Sequence, residues 1–510
     1  MRVSSTLAQC ATIVGAVGLQ IPLFWKPSQA PLDHPNGTKP LINSTELQDL
    51  ISGDRLYARA KKLFEIAKLG EDEYNHPTRV IGSAGHLGTL SYIYEQILQL
   101  GDYYQLSNQS FPAVSGNIFQ YRLVIGNDVP KSAYPMSLTP PTRDKEPVYG
   151  NLALVKNQGC QSTDFPPEVA GNIAFIERGL CPFGTKSENA GRAGAIAAIV
   201  YDNQNGSSPF GGTLGTPSPY HVATFSLSKD EATPYLKKLA KNKPVDAIAF
   251  IDSEVKTILT INIIAQTTSG SASNIVMLGA HSDSVASGPG INDDGTGTLS
   301  LLEVATQLTK FSLHNAVRFA WWAGEEEGLL GSDYYVATLP RAENEKIRMF
   351  MDYDMMGSPN FAYQVYNATN ARNPVGSQEL RDLYVGWYEG QGLNYTFIPF
   401  DGRSDYDGFI RNGIPGGGIA TGAEGVKSKV EKEMFGGREG EWYDPCYHQL
   451  CDDVGNVNVS AWVVNTKLIA HSVATYAESL EGFPKRRVDE VRMEGGYEEE
   501  TKFHGAKMFW

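Results

Sequence analysis

The sequence predicts an α/β fold: a mixed, mostly parallel central sheet flanked by helices and interrupted by a β-rich insert. Three observations predict it. From residue 257 onward, apolar runs of strand length alternate with stretches of helical spacing, the order that builds a parallel sheet covered on both faces. Between about 130 and 250 the texture changes to short β-rich runs separated by Gly/Pro loops, which marks an insert with its own core. Of the 510 residues 41% are hydrophobic and 20% charged, an ordinary globular balance that excludes wholesale disorder.

The elements follow in order. Residues 1–30 carry Arg2, then apolar Ala11–Trp25, then Ser28-Gln29-Ala30, the pattern of a secretory signal peptide whose cleavage point stays open. The apolar part is shorter than the ~20 residues that cross a bilayer, and no later stretch predicts a span. Residues 31–45 are rich in Pro, Gly and Asn and form a candidate pro-segment. The region 46–129 opens the main domain. It holds a helix over 46–69 (Leu47, Leu50, Ile51, Leu56, Ala60, Leu63, Phe64, Ala67), a second over 86–100 and a strand over 117–125. The insert, 130–250, has strands at 151–155, 172–176 and 195–201 and an Ala-rich helix at 186–194. The main domain resumes over 251–485. Its strands fall at 258–266, 274–280, 316–323, 347–353, 361–366 and 414–420, and its helices at 296–309, 328–338, 376–391 and 459–480. A charged tail, 486–510, closes the chain.

Lys+Arg number 43 against 57 Asp+Glu, for a net charge of -14. The chain therefore lacks the basic footprint of a duplex-DNA binder, and no nucleic-acid partner is expected. Of five Cys, Cys10 lies in the apolar leader; Cys160 with Cys181, and Cys446 with Cys451, fall as two close pairs. They read as two local disulfides in an oxidising compartment or four thiols in a reducing one. The leader favours export. So do seven Asn-x-Ser/Thr acceptors, at Asn36, Asn43, Asn108, Asn205, Asn367, Asn394 and Asn458. A secreted protein is expected, with a vacuolar lumen as the alternative, and a monomer without a stable membrane span.

Metal-type ligands collect just beyond predicted strand ends, where α/β sheets place their sites. His281 and Asp283 follow 274–280; Asp293 and Asp294 precede helix 296–309; Glu325, Glu326 and Glu327 follow 316–323; Asp354 follows 347–353; His448 lies between Cys446 and Cys451. Taken singly, each has a plainer reading. The paired Asp can cap a helix, the Glu triplet can be a solvated face, and a lone His is usually structural, as His34, His76, His86, His221, His314, His471 and His504 are taken to be. Together, two His with several carboxylates match zinc, with carboxylates able to bridge two ions. The sequence holds no HExxH helix, no GxSxG elbow and no Walker-type loop. The pattern therefore points to dinuclear metal-assisted hydrolysis.

Five segments occur in order: Gly279-Ala280-His281-Ser282-Asp283-Ser284, Gly288 through Gly295 (GPGINDDG), Trp321 through Ser332 (WWAGEEEGLLGS), Asp354 through Asn360 (DMMGSPN) and Cys446 through Asp452 (CYHQLCD). They resemble those of the co-catalytic dizinc aminopeptidases secreted by bacteria and fungi. The layout with an insert is similar to that of the fungal secreted leucine aminopeptidases and vacuolar aminopeptidases. The likeness is strong over 250–485 and weaker over 46–125. Gly159-Cys160, Ile176 through Phe183 (IERGLCPF) and Ala193-Gly194-Ala195 resemble a protease-associated (PA) domain, in which relatives bridge the two Cys.

The resemblance implies a zinc exopeptidase fold, two Zn2+ ions per chain, and peptides with a free N-terminus as substrates, with large apolar first residues such as Leu preferred. His281 and Asp354 would hold one zinc, Glu326 and His448 the other, and Asp293 would bridge them, with Asp294 a neighbour. A metal-bridged hydroxide would attack, with Glu325 as general base and Tyr447 donating to the oxyanion. Asp283 would steady the His281 imidazole. Cys446–Cys451 would clamp the loop that presents Tyr447 and His448. Arg403 would help place the substrate's amino end. Relatives vary at Glu327; counting back from Gly328 favours Glu325 and Glu326 as the functional pair. The alternatives are a carboxypeptidase or aminoacylase-like hydrolase of the same superfamily, or a receptor-like homologue without activity. The insert reads as a cover over the site, or as a module that binds substrates or partners.

Overall fold

Two burial patterns build the molecule, helical stripes in the N-terminal region and pleated alternation in the sheet. The structure, a computed structural model, describes residues 39–207 and 210–486. The expected signal peptide, Cys10, His34, Asn36, His504 and all but Arg486 of the expected tail lie outside the described residues.

The predicted helix over 46–69 is two helices, Ser44–Asp49 and Gly53–Ala67. Ser52 between them is extended (φ -126) and Gly53 follows it, a pair that disfavours a continuous helix. Leu56, Ala60 and Leu63 form the fully buried stripe of the second helix. The helix Ala84–Leu98 starts at Ser83, whose side chain accepts the His86 amide.

The described strands are β1 (Tyr104–Ile125), β2 (Tyr134–Pro135), β3 (Val148–Leu154), β4 (Ile173–Glu177), β5 (Ala197–Tyr201), β6 (Thr224–Leu227), β7 (Asp246–Thr267), β8 (Ser271–His281), β9 (Asn315–Trp322), β10 (Ile347–Tyr353), β11 (Gln364–Tyr366), β12 (Thr396–Ile398) and β13 (Gly416–Ala420). β1 and β7 pair antiparallel along nearly their whole length, with one register shift at Ile118/Gln120. The sequence reading found only the far half of β1. The near half holds Ser107, Asn108, Gln109, Ser110 and Pro112, a polar run that does not read as a strand. This ribbon serves both cores: Phe111 and Ala113 pack with Ile81 and Ala323, while Leu123 and Ile125 pack inside the insert.

In the insert, β3, β4, β5 and β6 run parallel. They carry the helices Phe183–Arg192 and Lys229–Leu239, the second of which the sequence reading missed. Cys160 and Cys181 are bridged.

The main sheet has the order β12-β11-β13-β10-β8-β9-β7. β10, β8, β9 and β13 form its parallel centre; β7 and β11 join it antiparallel. Pleating sends Val276, Leu278 and Ala280 of β8 into one core and Ile275 and Met277 into the other. Helices Gly297–Leu308, Ser377–Gly390 and Val459–Glu478 supply residues to the first core; Leu330–Thr338 and Tyr406–Arg411 supply the second. Both faces are thus dry, as the continuous apolar runs predicted. The parallel strands all end at one rim.

Candidate metal centre

That rim gathers residues far apart in the chain. β8 ends on His281, β9 leads into Glu325–Glu327, β10 leads into Asp354, and the loop before helix Gly297–Leu308 presents Asp293. Asp293 has its two carboxylate oxygens on different imidazoles. Oδ1 lies 3.2 Å from Nε2 of His281, and Oδ2 lies 3.1 Å from Nε2 of His448. Asp354 Oδ1 is 3.7 Å from the first imidazole, and Glu326 Oε2 is 3.1 Å from the second. Two triads result, His281–Asp293–Asp354 and Asp293–Glu326–His448, and within each the ligand atoms lie within 4.8 Å of one another. The sequence reading had paired the same residues. Glu325 stands beside them, with Oε2 4.0 Å from His281 Nε2, and belongs to neither triad.

Close packing fixes the Asp293 loop. Gly290 turns it with φ +59, and a Cβ there would meet the Asp293 carbonyl at 2.2 Å. Asp452 accepts the amides of Asn292 (2.9 Å) and Asp293 (3.0 Å). Asn292 donates to Asp444 (2.6 Å) and accepts from the Gly357 amide (3.0 Å). The Asp293–Asp294 peptide bond is cis. Asp294 faces inward and accepts amides of His281 (3.2 Å), Gly297 (2.9 Å) and Met355 (3.0 Å), so it ties the end of β8, the first residue of the helix and the segment after β10 together.

Asp283, expected to steady the His281 imidazole, stands beside that ring. Its Oδ1 is 3.8 Å from His281 Nδ1, beyond hydrogen-bond range. Its hydrogen bonds run instead to the amides of Gly324 (2.9 Å), Glu325 (3.4 Å) and Glu326 (3.3 Å), so it shapes the Glu loop. Tyr447 stacks on His448 with ring centroids 3.8 Å apart, between the bridged Cys446 and Cys451. Arg403 pairs with Glu424 at 2.9 Å, and the next residue, Ser404, donates to Asp354 (3.0 Å). Glu327 is half-buried and joins neither triad.

Sequence reasoning missed Arg79, which has no exposed surface. Its guanidinium donates to the carbonyls of Ser282, Pro289 (2.8 Å) and Gly290, which binds the His281 and Asp293 loops together. Asn292, Asp444, Asp452 and Glu424 were missed too. Asn292 and Asp452 lie inside the quoted motifs GPGINDDG and CYHQLCD, a signal that could have found them; Asp444 and Glu424 lie outside the quoted motifs.

The electrostatics call for cations. Burial opposes charge on the His448 imidazole, yet Glu326 and Asp293 raise it to about 10. Burial likewise opposes charge on Asp293, but the two imidazoles hold it well below the usual carboxylate range. Glu325 is pushed well above that range, first by burial and, against His281, by Glu326, Asp405 and Asp354. Such crowding of buried acids is unfavourable unless positive charge answers it. Both ring nitrogens of His281 and Oδ1 of Asp354 are buried and make no well-formed hydrogen bond. Imidazole and carboxylate donors in two triads that share one Asp fit a pair of zinc ions.

Residues 262–473 match the model of peptidase family M28, and residues 148–234 match that of the PA domain. Aminopeptidase Y of Saccharomyces cerevisiae is 50% identical over 456 residues, 88% of this chain and 83% of that one. Leucine aminopeptidase 2 of Trichophyton equinum is 42% identical over 452 residues, 88% of this chain and 89% of that one. The solved structure of an aminopeptidase from Aneurinibacillus sp. strain AM-1 superposes with a TM-score of 0.68 at 25% identity, over 86% of this chain and 96% of that one. With 50% identity to one relative over 88% of its length and matches to both family models, the chain belongs to peptidase family M28 and is a metallo-aminopeptidase with a PA domain.

Proposed function

We propose that this chain is a dizinc exopeptidase that removes the first residue of peptides with a free N-terminus, preferring large apolar residues such as Leu. The observation that carries it is the divided carboxylate of Asp293, one oxygen toward each imidazole. His281 and Asp354 would hold one zinc, Glu326 and His448 the other, with Asp293 shared. Bound zinc supplies Lewis acidity and lowers the pKa of water. The protein's own groups do the rest. Glu325, outside both triads, takes the proton of the attacking water and returns it to the leaving amine. Asp283 holds the backbone of Glu325 and Glu326, so base and ligand keep their spacing. Tyr447 is held in place by its stack on His448 and by the Cys446–Cys451 loop, and its phenol donates to the developing oxyanion. Carboxylates around the site attract the substrate's α-ammonium group, and that anchoring restricts cleavage to one residue from the end. Arg403 helps place the substrate.

Export to the cell exterior, or to a vacuolar lumen, fits the same reading. Both Cys pairs are bridged. The acceptors Asn43, Asn108, Asn205, Asn367 and Asn394 are exposed, and Asn458 is half-buried. Asn394 donates to the Met434 carbonyl (3.0 Å), so a glycan there would have to respect that bond. No helix among the described residues is long and apolar enough to cross a membrane. The domain limits stay a proposal at 46–129, 130–250 and 251–485; β1 ends at Ile125, short of the first limit, and β7 (Asp246–Thr267) runs across the second.

The test is hydrolysis of leucine 4-nitroanilide before and after chelation, with zinc added back, beside the Glu325→Gln variant. We expect chelation to abolish turnover and zinc to restore it. Glu325→Gln should keep two zinc ions and lose at least a hundredfold in kcat, about the contribution of a general base. Near-normal turnover in that variant, or turnover indifferent to chelation, would sink the proposal. An N-blocked dipeptide with a free C-terminus, hydrolysed faster than the anilide, would point to a carboxypeptidase.

A further inference from the structure

Beside the triads stands a charged pair that the proposed chemistry uses only in part. Arg403 lies after β12, one residue before the Ser404 that donates to Asp354. Glu424 lies after β13, and its loop is fastened to the loop after β10. The Thr421 amide donates to the Met355 carbonyl (2.9 Å), and the Ser358 hydroxyl donates to the Gly422 carbonyl (2.6 Å). Both residues therefore sit at the same strand-end rim as Asp354. Oε1 of Glu424 lies 2.9 Å from Nη2 of Arg403. Oε2 of Glu424 is buried and hydrogen-bonds no described protein group. The Arg403 side chain keeps 35% of its surface exposed against 14% for Glu424.

The pair thus offers guanidinium donors and a carboxylate acceptor side by side, at zero net charge. A cationic ligand would meet Arg403 and an anionic one would meet Glu424. A neutral main-chain segment opposes neither. In an extended segment the N–H and C=O of one residue point to the same side, one donor and one acceptor. We propose that Arg403 and Glu424 are specificity-determining residues that grip the substrate's main chain beyond the cleaved bond, Arg403 donating to a peptide carbonyl and Glu424 Oε2 accepting a peptide N–H. This rests on the peptidase reading above. It makes the enzyme selective for peptides of three or more residues over amides and anilides of single amino acids.

The experiment compares Leu-Gly-Gly with leucine 4-nitroanilide in wild type, Glu424→Ala and Glu424→Gln. Glu424→Ala should lower the tripeptide-to-anilide ratio of kcat/KM about tenfold, the size of one hydrogen bond to a charged group, with the loss in KM of the tripeptide. Glu424→Gln keeps an acceptor oxygen and should recover part of that ratio. A second arm measures Leu-Gly-Gly binding calorimetrically to zinc-loaded Glu325→Gln, with and without Glu424→Ala, and expects about tenfold weaker binding with it. An equal fall for both substrates in both Glu424 variants, with unchanged calorimetric affinity, would overturn the proposal and leave the pair as a brace for Arg403. Wild type hydrolysing neither substrate would overturn the peptidase reading instead, and the calorimetric arm would still decide this one.

Discussion

Glu303 and Asp293 are both buried carboxylates, and they are satisfied by opposite means. Glu303, on helix Gly297–Leu308, has no exposed surface and is answered by Arg55 at 2.7 Å and Arg59 at 3.4 Å. Asp293 is met by two imidazoles, which stand among further carboxylates. Guanidinium is always charged, so the first region is electrically complete once the chain folds. An imidazole can answer a carboxylate by holding a proton, but it ligates a metal only when neutral, so the second region exchanges protons for cations where the first has nothing to exchange. The difference separates a stabilising contact from a site.

The sharpest way to break that comparison is to remove each carboxylate in turn. Asp293→Ala deletes the ligand shared by both triads. Its zinc content should fall below one ion per chain, and leucine 4-nitroanilide hydrolysis should fall at least a hundredfold. Glu303→Gln should keep two zinc ions and wild-type kcat while Tm falls by a few degrees, since the arginines keep partial exposure and water (side-chain exposures 49% and 13%). Metal analysis beside a thermal scan reads both. Zinc loss in Glu303→Gln would show that the two regions are not separate.

The two disulfides allow a gentler version. Cys160–Cys181 closes 21 residues of the insert and Cys446–Cys451 closes five beside His448. Chain entropy gives them comparable weight, about 3 and 2 kcal/mol. Position should separate them. Cys446→Ser with Cys451→Ser should weaken zinc binding, about tenfold by the measure of an outer-shell support. Cys160→Ser with Cys181→Ser should lower the stability of the insert and leave zinc affinity alone. Zinc titration against a chromophoric chelator checks both, and equal zinc loss in the two variants would remove the distinction.

How much of this was legible follows the same division. His281, Glu326 and Asp354 could be read because each follows an apolar run, and strand ends are where α/β sheets place ligands; Asp293 and His448 follow no such run and were legible through the motifs GPGINDDG and CYHQLCD that carry the resemblance. The parallel centre was legible because strands buried on both faces read as continuous apolar runs. Arg79 was not legible: its partners are the carbonyls of Ser282, Pro289 and Gly290, and a backbone carbonyl leaves no mark in the sequence. Asp444 looks like a solvated loop acid until the fold folds it onto Asn292. The near half of β1 was hidden because an edge ribbon tolerates the polar run and Pro112 that a central strand would not.

The smallest effect tests the rule with the sign of charge reversed. Lys186 in the insert is buried, and its ammonium donates to the carbonyls of Gln158 and Gly179. No carboxylate touches it as the arginines touch Glu303. Burial therefore lowers its pKa to about 8, against the weaker upward pull of Glu177 and Asp164. In the unfolded chain the amine holds its proton to near pH 10.4. Between about pH 8 and 10 the unfolded state binds more protons than the folded one, so stability rises with pH across that window. Below pH 8 both states are protonated and the slope vanishes. Lys186→Met should flatten the rise, read from urea midpoints of the whole protein with a fluorescence probe placed in the insert. A slope of the same size in wild type and variant would mean that the carbonyls of Gln158 and Gly179 solvate the ammonium as well as water does, and that a buried cation, unlike Asp293, can be completed by backbone dipoles alone.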